Sequence, residues 1–286
     1  MMIFPKLLLV TVASWSFLSA HTIAEDMTWA VLDVPGAATH RDGTPDEGIV
    51  LDAQKLLEAQ LPGLIHRYER STPRRLDRDL FAGRPICSTL TLRNPDRSKS
   101  GVFIPYLPAL PMELVSRADL LPDFAVEHGK VSLAKLLEKP LKGGISSTRA
   151  YPPELADLID KGVKQGTLEI INTSSPGVNL IAMVSLKRLD YTFEFPIVSA
   201  EIRRAIPYST VLVSVPMMEN PSLIPTGIYC PRNVWGRQMA KRIDTAIQRL
   251  ASKPEPLLQL YRNQEPSYEP QLREYFRERG RARIEW

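Results

Sequence analysis

The sequence predicts an α/β protein of two lobes, each a mostly parallel sheet flanked by helices, with the second lobe inserted into the first through two chain crossings. Three observations predict it. Strand-like and helix-like apolar segments alternate as β-α-β-α-β before Pro111 and again after it, the order that builds parallel sheets with crossover helices. The C-terminal part then returns to strands and a long amphipathic helix. Finally, Cys87 and Cys230 lie far apart with no histidine cluster near either, so metal-ligand spacing is absent and a disulfide is the expected use of the pair in an exported chain. Such a bridge would bring the C-terminal part back to the first unit.

Export is read from the first residues. MMIFPKLLLVTVASWSFLSAHTIA has one lysine, an apolar run over 7–18 and small residues at Ala20 and Ala24, the layout of a signal peptide cleaved after Ala24 or Ala20. The apolar run is shorter than the roughly 20 residues of a membrane-spanning helix. Residues 1–24 are therefore assigned to a leader, 25–112 and 211–286 to lobe 1, and 113–210 to lobe 2, with hinges near Met112 and Val213. The chain is expected to be exported and soluble, as a monomer.

In chain order, TWAVLDV (28–34) is a strand that stops at Pro35-Gly36. Ile49, Leu51, Ala53, Leu56 and Leu57 carry helical spacing up to Pro62-Gly63. LIHRYER (64–70) is a strand, and Ser71 or Thr72 caps a helix through RRLDRDLFAG (74–83), which leads into the strand PICSTLTL (85–92). After Pro111 come a strand at 112–117, a helix at 131–139 capped by Ser132, a strand at 141–147, a helix at 151–163, a strand at 167–172, a helix at 175–188 and a strand at 189–195. A helix at 198–205 and strands at 209–216 and 225–230 follow. The helix at 235–251 places Met239, Ile243, Ile247 and Leu250 on one face, and a helical tail covers 257–261 and 268–279.

Charge excludes one class of partner. The chain carries +4, reduced to +3 without Lys6 of the leader, and its basic clusters at 70–78 and 273–283 read as solvated helix faces rather than a nucleic-acid stripe. No G-x-S-x-G elbow, P-loop or dinucleotide glycine pattern occurs, and the four histidines are scattered. No cofactor, no metal and no covalent chemistry is expected. An acid-dependent lyase, using Glu194 or Asp190, is the enzymatic alternative.

The segment STLTLRNPDR (88–97) is the candidate ligand site. Ser88, Thr89 and Thr91 offer hydroxyls at the end of a strand, and Arg97 in the following turn either grips a carboxylate through its planar fork or pairs with Asp96 or another acid. In GGISSTRAY (143–151), Ser147, Thr148 and Arg149 stand between a strand and a helix, where they either meet an anion or cap the helix. Alternation puts Asp190, Thr192 and Glu194 on one strand face.

GRPICSTLTLRNPDRSKSGVFIPY (83–106) resembles the family 3 periplasmic solute-binding proteins, in which a Ser/Thr strand leads to a T-P-E-R turn and an F-S-x-P-Y segment. TPRRLDRDLFAGRPIC (72–87) and LKRLDYTFEFP (186–196) resemble further segments of that family, and CPRNVWGR (230–237) resembles a less characterised proteobacterial branch. The resemblance runs from Trp29 to about Leu250. It implies a type 2 binding-protein fold, a periplasmic location, Arg97 as the carboxylate clamp, and capture of an amino acid or organic acid for an ABC permease or an inner-membrane sensor. Two departures stand out. Phe195 occupies the position of the family's ammonium-binding acid, with Glu194 one residue before it, and DVPGA (33–37) lacks the family's aromatic platform, for which Trp29 is either the substitute or a core residue.

Overall fold

The structure, a computed structural model, describes residues 25–281 except 35–36, 39, 42–43, 46–47, 125, 148, 150, 174–175, 207, 209, 221 and 263–267. The expected leader, 1–24, lies outside the described residues. Strand β1 (Glu25–Leu32) is followed by a small hairpin of β2 (His40–Arg41) and β3 (Thr44–Pro45), helix α1 (Ile49–Glu58), β4 (Leu64–Ser71), α2 (Pro73–Phe81) and β5 (Ile86–Ser88). Helix α2 starts where the sequence requires: Pro73 occupies its first turn and the Thr72 hydroxyl accepts the Arg75 N–H at 3.2 Å. β1 is the central strand of a parallel sheet ordered β4-β1-β5.

The strand read from the sequence over 85–92 divides in two. β6 (Thr91–Leu92) leaves β5 and joins a second, antiparallel sheet. A one-turn helix, α3 (Arg97–Ser100), then precedes β7 (Gly101–Ala109), whose Pro105 and Pro108 hid it from strand periodicity. β7 lies at the sheet edge, the place where a strand tolerates prolines that cannot donate to a ladder.

The next sheet has five strands in the order β10-β9-β11-β8-β12. It is assembled from β8 (Glu113–Arg117), the 3-10 segment Ala118–Phe124, α4 (Leu133–Leu136), β9 (Gly143–Ser146), a 3-10 turn at Pro153–Leu155, α5 (Ala156–Gln165), β10 (Leu168–Ile171), α6 (Pro176–Ser185), β11 (Tyr191–Glu194), α7 (Pro196–Ala205) and β12 (Leu212–Pro216). β9, β10 and β11 pair in parallel through helical crossovers, whereas β8 pairs antiparallel with both β11 and β12. The sequence boundary at 210/211 needs correction here. Val213 pairs with Ser116 in mid-strand, so 212–216 belong to the five-stranded sheet and the return crossing follows Pro216.

β13 (Ile224–Pro231) completes the sheet β6-β13-β7, and α8 (Val234–Ala251), α9 (Glu255–Gln259) and α10 (Glu269–Arg279) finish the chain. The Asn233 side chain caps α8 by accepting the Gly236 N–H at 2.8 Å. Only glycine fits at 236, since a Cβ there would sit 1.8 Å from the Pro231 carbonyl oxygen. Cys87 of β5 and Cys230 of β13 are joined by a disulfide with Cα atoms 4.3 Å apart, linking the two small sheets.

The core follows the sheets. One buried cluster joins Met27, Trp29 and Cys87 to Ile104, Tyr106, Met239, Ile243, Leu257 and Phe276. Arg279 of α10 is buried against it, donating Nε to the Pro105 carbonyl at 2.7 Å and pairing with Asp244 of α8. Two further clusters cover the faces of the five-stranded sheet, one with Leu114, Ile145, Tyr191 and Phe193, the other with Val115, Leu180, Val184 and Val198. Side chains alternate across a strand, so β8 feeds both clusters, Leu114 one and Val115 the other.

Candidate functional site

The β5–β6 break decides what the predicted hydroxyls do. Ser88 is fully buried and its Oγ accepts the Tyr229 N–H at 2.9 Å, while Thr89 donates its N–H at 2.9 Å and its hydroxyl at 3.3 Å to the Ala30 carbonyl. Ser88 fastens the parallel sheet to β13 of the next, Thr89 extends the pairing of β5 with β1, and neither lines the cavities of the cleft. Thr91, on the far side of the break, does line one.

Arg97 is buried on the first turn of α3. Its backbone N–H donates to Asn94 Oδ1 at 3.0 Å, an Asx-type turn that fixes the corner. Its guanidinium lies 5.4 Å from the Tyr229 ring centroid, donates Nε to Asp77 Oδ1 at 2.6 Å and donates Nη1 to Thr91 Oγ1 at 3.2 Å. The acid beside Arg97 is thus Asp77 of α2, whereas Asp96 pairs with Lys99.

On the five-stranded sheet, Glu194 ends β11 with 1 % exposure. Its Oε1 accepts the Phe195 N–H at 2.8 Å and its Oε2 accepts Nη1 of Arg149. Burial pushes the carboxyl above its ordinary range, opposed by the Arg149 guanidinium and the Phe195 N–H. Gly177, in the first turn of α6, leaves room for that carboxylate, because a Cβ there would lie 2.6 Å from Oε2. Glu194 therefore holds Arg149 rather than lining a cavity. Asp190 at the other end of β11 accepts the Lys142 N–H at 2.8 Å and Nη2 of Arg117 at 3.2 Å, and it too lines no cavity described here. The lyase alternative thus has neither of its acids facing the cleft.

Ser147 is exposed, with its hydroxyl 3.5 Å from Asn172 Oδ1, and Thr148 lies outside the described residues. Trp29 is not an aromatic platform. It is fully buried in the central strand β1, donates Nε1 to His66 Nδ1 at 3.0 Å and stacks on that ring, because an indole in a strand flanked on both sides has core on its face.

What the fold does bring together is a cleft. A cavity of about 440 Å³ is lined by Leu32 and Val34 after β1, Asp77, the run from Leu90 to Asn94, Arg97, the end of β7, and Arg149 with Phe195 to Val198 from the five-stranded side. A neighbouring cavity of about 810 Å³ shares Leu92, Arg93, Asn94 and Phe195 and continues past Tyr151, Glu154 and Tyr275. The sequence singled out Arg97, Thr91 and Arg149, and these three do meet at one cavity. Asp77 and Arg93 were visible in sequence only as helix-face and strand-end charges. Among the described residues no group of three or more His, Cys, Asp or Glu is placed to hold a metal ion, and no helix is long and apolar enough to cross a membrane.

No family model matches the chain, and no curated protein does. Solved structures do match. The chain is similar to a protein from work on glutathione import through GshT and the cystine ABC importer TcyBC of Streptococcus mutans, with 13% identity over 84% of this chain and 94% of that one and a TM-score of 0.63. It is similar to an ancestral arginine-binding protein bound to arginine at 15% identity, 84% and 98% coverage and a TM-score of 0.60. A histidine kinase sensor domain with similarity to periplasmic binding proteins gives 14% identity, 83% and 95% coverage and a TM-score of 0.61. By its fold the chain is a two-lobed α/β protein of the periplasmic binding type.

Proposed function

We propose that the chain is an exported solute-binding protein that closes over a small polar, carboxylate-bearing ligand and delivers it to an ABC importer. The observation that carries this reading is the cavity between the two sheet systems, walled by Arg97 on one side and Arg149 on the other. The lobes are 25–112 with the chain after Pro216, and 113–216. A ligand gripping both walls stabilises the closed arrangement only through contacts that closure creates, and the crossings after Ala109 and after Pro216 absorb the rotation. Support comes from the similar structures, whose names include glutathione and cystine import and arginine binding.

A thermal-shift screen against amino acids, organic acids, short peptides and nucleosides tests the reading. A ligand at 100 times its dissociation constant adds about 2.7 kcal/mol of stability, seen as a raised Tm. Silence from every carboxylate in the panel would remove the proposal.

A second reading, a periplasmic sensor or interaction module of the same fold, is favoured by one feature. Arg97 and Arg149 each have an acid of the same chain beside them, Asp77 and Glu194, so each wall of the cleft balances its own charge without ligand. Small-angle scattering separates the two: a ligand-induced fall in radius of gyration supports uptake, and a ligand-free particle that is already compact and unresponsive supports the module.

A further inference from the structure

Resting on the solute-binding reading, we infer that Arg93 is the residue that anchors the ligand's carboxylate, and that the ligand is a carboxylate with an apolar body and no ammonium group. Three arginines line the 440 Å³ cavity: Arg93, Arg97 and Arg149. Arg97 is held by Asp77 at 2.6 Å and Thr91 at 3.2 Å, and Arg149 is held by Glu194. An incoming carboxylate at either would have to displace or share an existing anion, and two carboxylates on one guanidinium repel each other; at Arg149 the resident anion, Glu194, is also buried.

Arg93 is different. Among the described residues its guanidinium has no hydrogen bond and no ion pair, only the ring of Phe103 with its centroid 5.7 Å away. A ring that covers one face of the guanidinium plane leaves the N–H donors at the edge of that plane open. Those donors form the fork that matches a carboxylate in two parallel hydrogen bonds.

Its position adds the second argument. Arg93 follows β6 directly and lines both cavities, together with Phe195 from the five-stranded side. An anion on Arg93 therefore sits where the two sheet systems face each other, the place where a contact made on closure has leverage on the closed state.

The remaining wall sets the ligand class. The smaller cavity is otherwise dominated by aliphatic side chains such as Leu32, Val34, Ile49, Leu107 and Ile197, and the one carboxylate among its described lining residues is Asp77, already engaged by Arg97. An α-ammonium on a ligand whose body fills this smaller cavity would meet no unengaged acid there, Glu154 and Glu278 lining the larger cavity instead, and a buried unpaired charge is strongly disfavoured. The side-chain chemistry thus favours an acid whose far end is branched aliphatic or aromatic.

Isothermal titration of the full chain is the test, with 3-phenylpropionate and 4-methylpentanoate as probes against 3-phenylpropanamide, L-phenylalanine and L-leucine. The two acids are expected to bind, with the amide and both amino acids at least about 10-fold weaker, and Arg93→Gln is expected to lose about 10- to 100-fold in affinity for the acids. Arg93 is exposed and has no partner to strand, so the variant keeps the wild-type circular dichroism and Tm, and Arg93→Lys recovers part of the affinity. Acid binding lost in Arg97→Gln but intact in Arg93→Gln overturns the anchor and leaves the solute-binding reading standing. Tighter binding of the amino acids than of the acids, or binding confined to another class of the screening panel, overturns the ligand class. Silence from all five probes and from the whole panel removes the underlying reading with it.

Discussion

Arg149 and Glu194 show how a single pair can be misread from sequence. Either side chain alone suggests a ligand contact; 45 residues apart in the chain, they are each other's partner. Replacing Arg149 by Met leaves a fully desolvated carboxyl whose folded pKa, already raised by burial, rises further once the opposing guanidinium is gone. An acid whose folded pKa exceeds its unfolded value contributes stability that is fully present below the unfolded pKa and lost as pH rises through the folded one. Urea unfolding of Arg149→Met should therefore show a penalty of about 3–5 kcal/mol at pH of about 8 and a smaller one at pH of about 4; a pH-independent penalty would mean that Glu194 ionises freely. Trp29 illustrates the opposite limit of legibility. Its residue type fitted both a platform and a core position, and only the placement of β1 between β4 and β5 assigned it to the core.

Among the elements, the return crossing is secured at its start by a helix end. Glu219 accepts the Leu133 N–H at 3.0 Å, the Ala134 N–H at 3.1 Å and the Ser132 hydroxyl at 2.7 Å, satisfying α4 donors that have no intrahelical partner. Burial alone would raise its pKa, but those hydrogen bonds bring it below the ordinary value of 4.5. A depressed carboxylate pKa gives stability that is present above the unfolded pKa and lost as pH falls through the folded one. Glu219→Gln should lower stability near neutral pH by about 0.5–2 kcal/mol and flatten the loss below pH of about 4.5; chemical denaturation across that range checks both. The Ser132 cap was readable from sequence, while Glu219 was not, since its role depends on a contact 86 residues away. Strand β7 escaped for a local reason, its two prolines, and β5 and β6 were fused because STL reads as uninterrupted strand although the backbone changes sheets within it.

For the whole molecule, the disulfide between β5 and β13 has the largest reach, because it ties the entry strand of the site to the segment that returns after the five-stranded sheet. A free-thiol titration of the denatured, unreduced protein should find none, and reduction should lower stability by about 4–5 kcal/mol in the chain-entropy model for a loop of this length. Two reactive thiols would refute the bridge. With the bridge intact, the first core and the clusters of the five-stranded sheet form separately around one cleft, the arrangement that lets two bodies move as units about two crossings.

Periodicity and turn residues by themselves determined the alternation of strands and helices, because it follows from local spacing, whereas the bridge between Cys87 and Cys230, and the insertion of one unit in another that follows from it, were expected from two cysteines in a chain read as exported. Which arginines already hold an acid, where β12 belongs and whether a hydroxyl faces solvent, core or cavity were decided only by the tertiary structure. Those outcomes depend on contacts between segments tens of residues apart, and one chain position carries no trace of its distant neighbour's charge. The polar corner at Arg97 was legible as a site; the unengaged cation beside it, Arg93, became distinguishable once Asp77 was seen to hold Arg97.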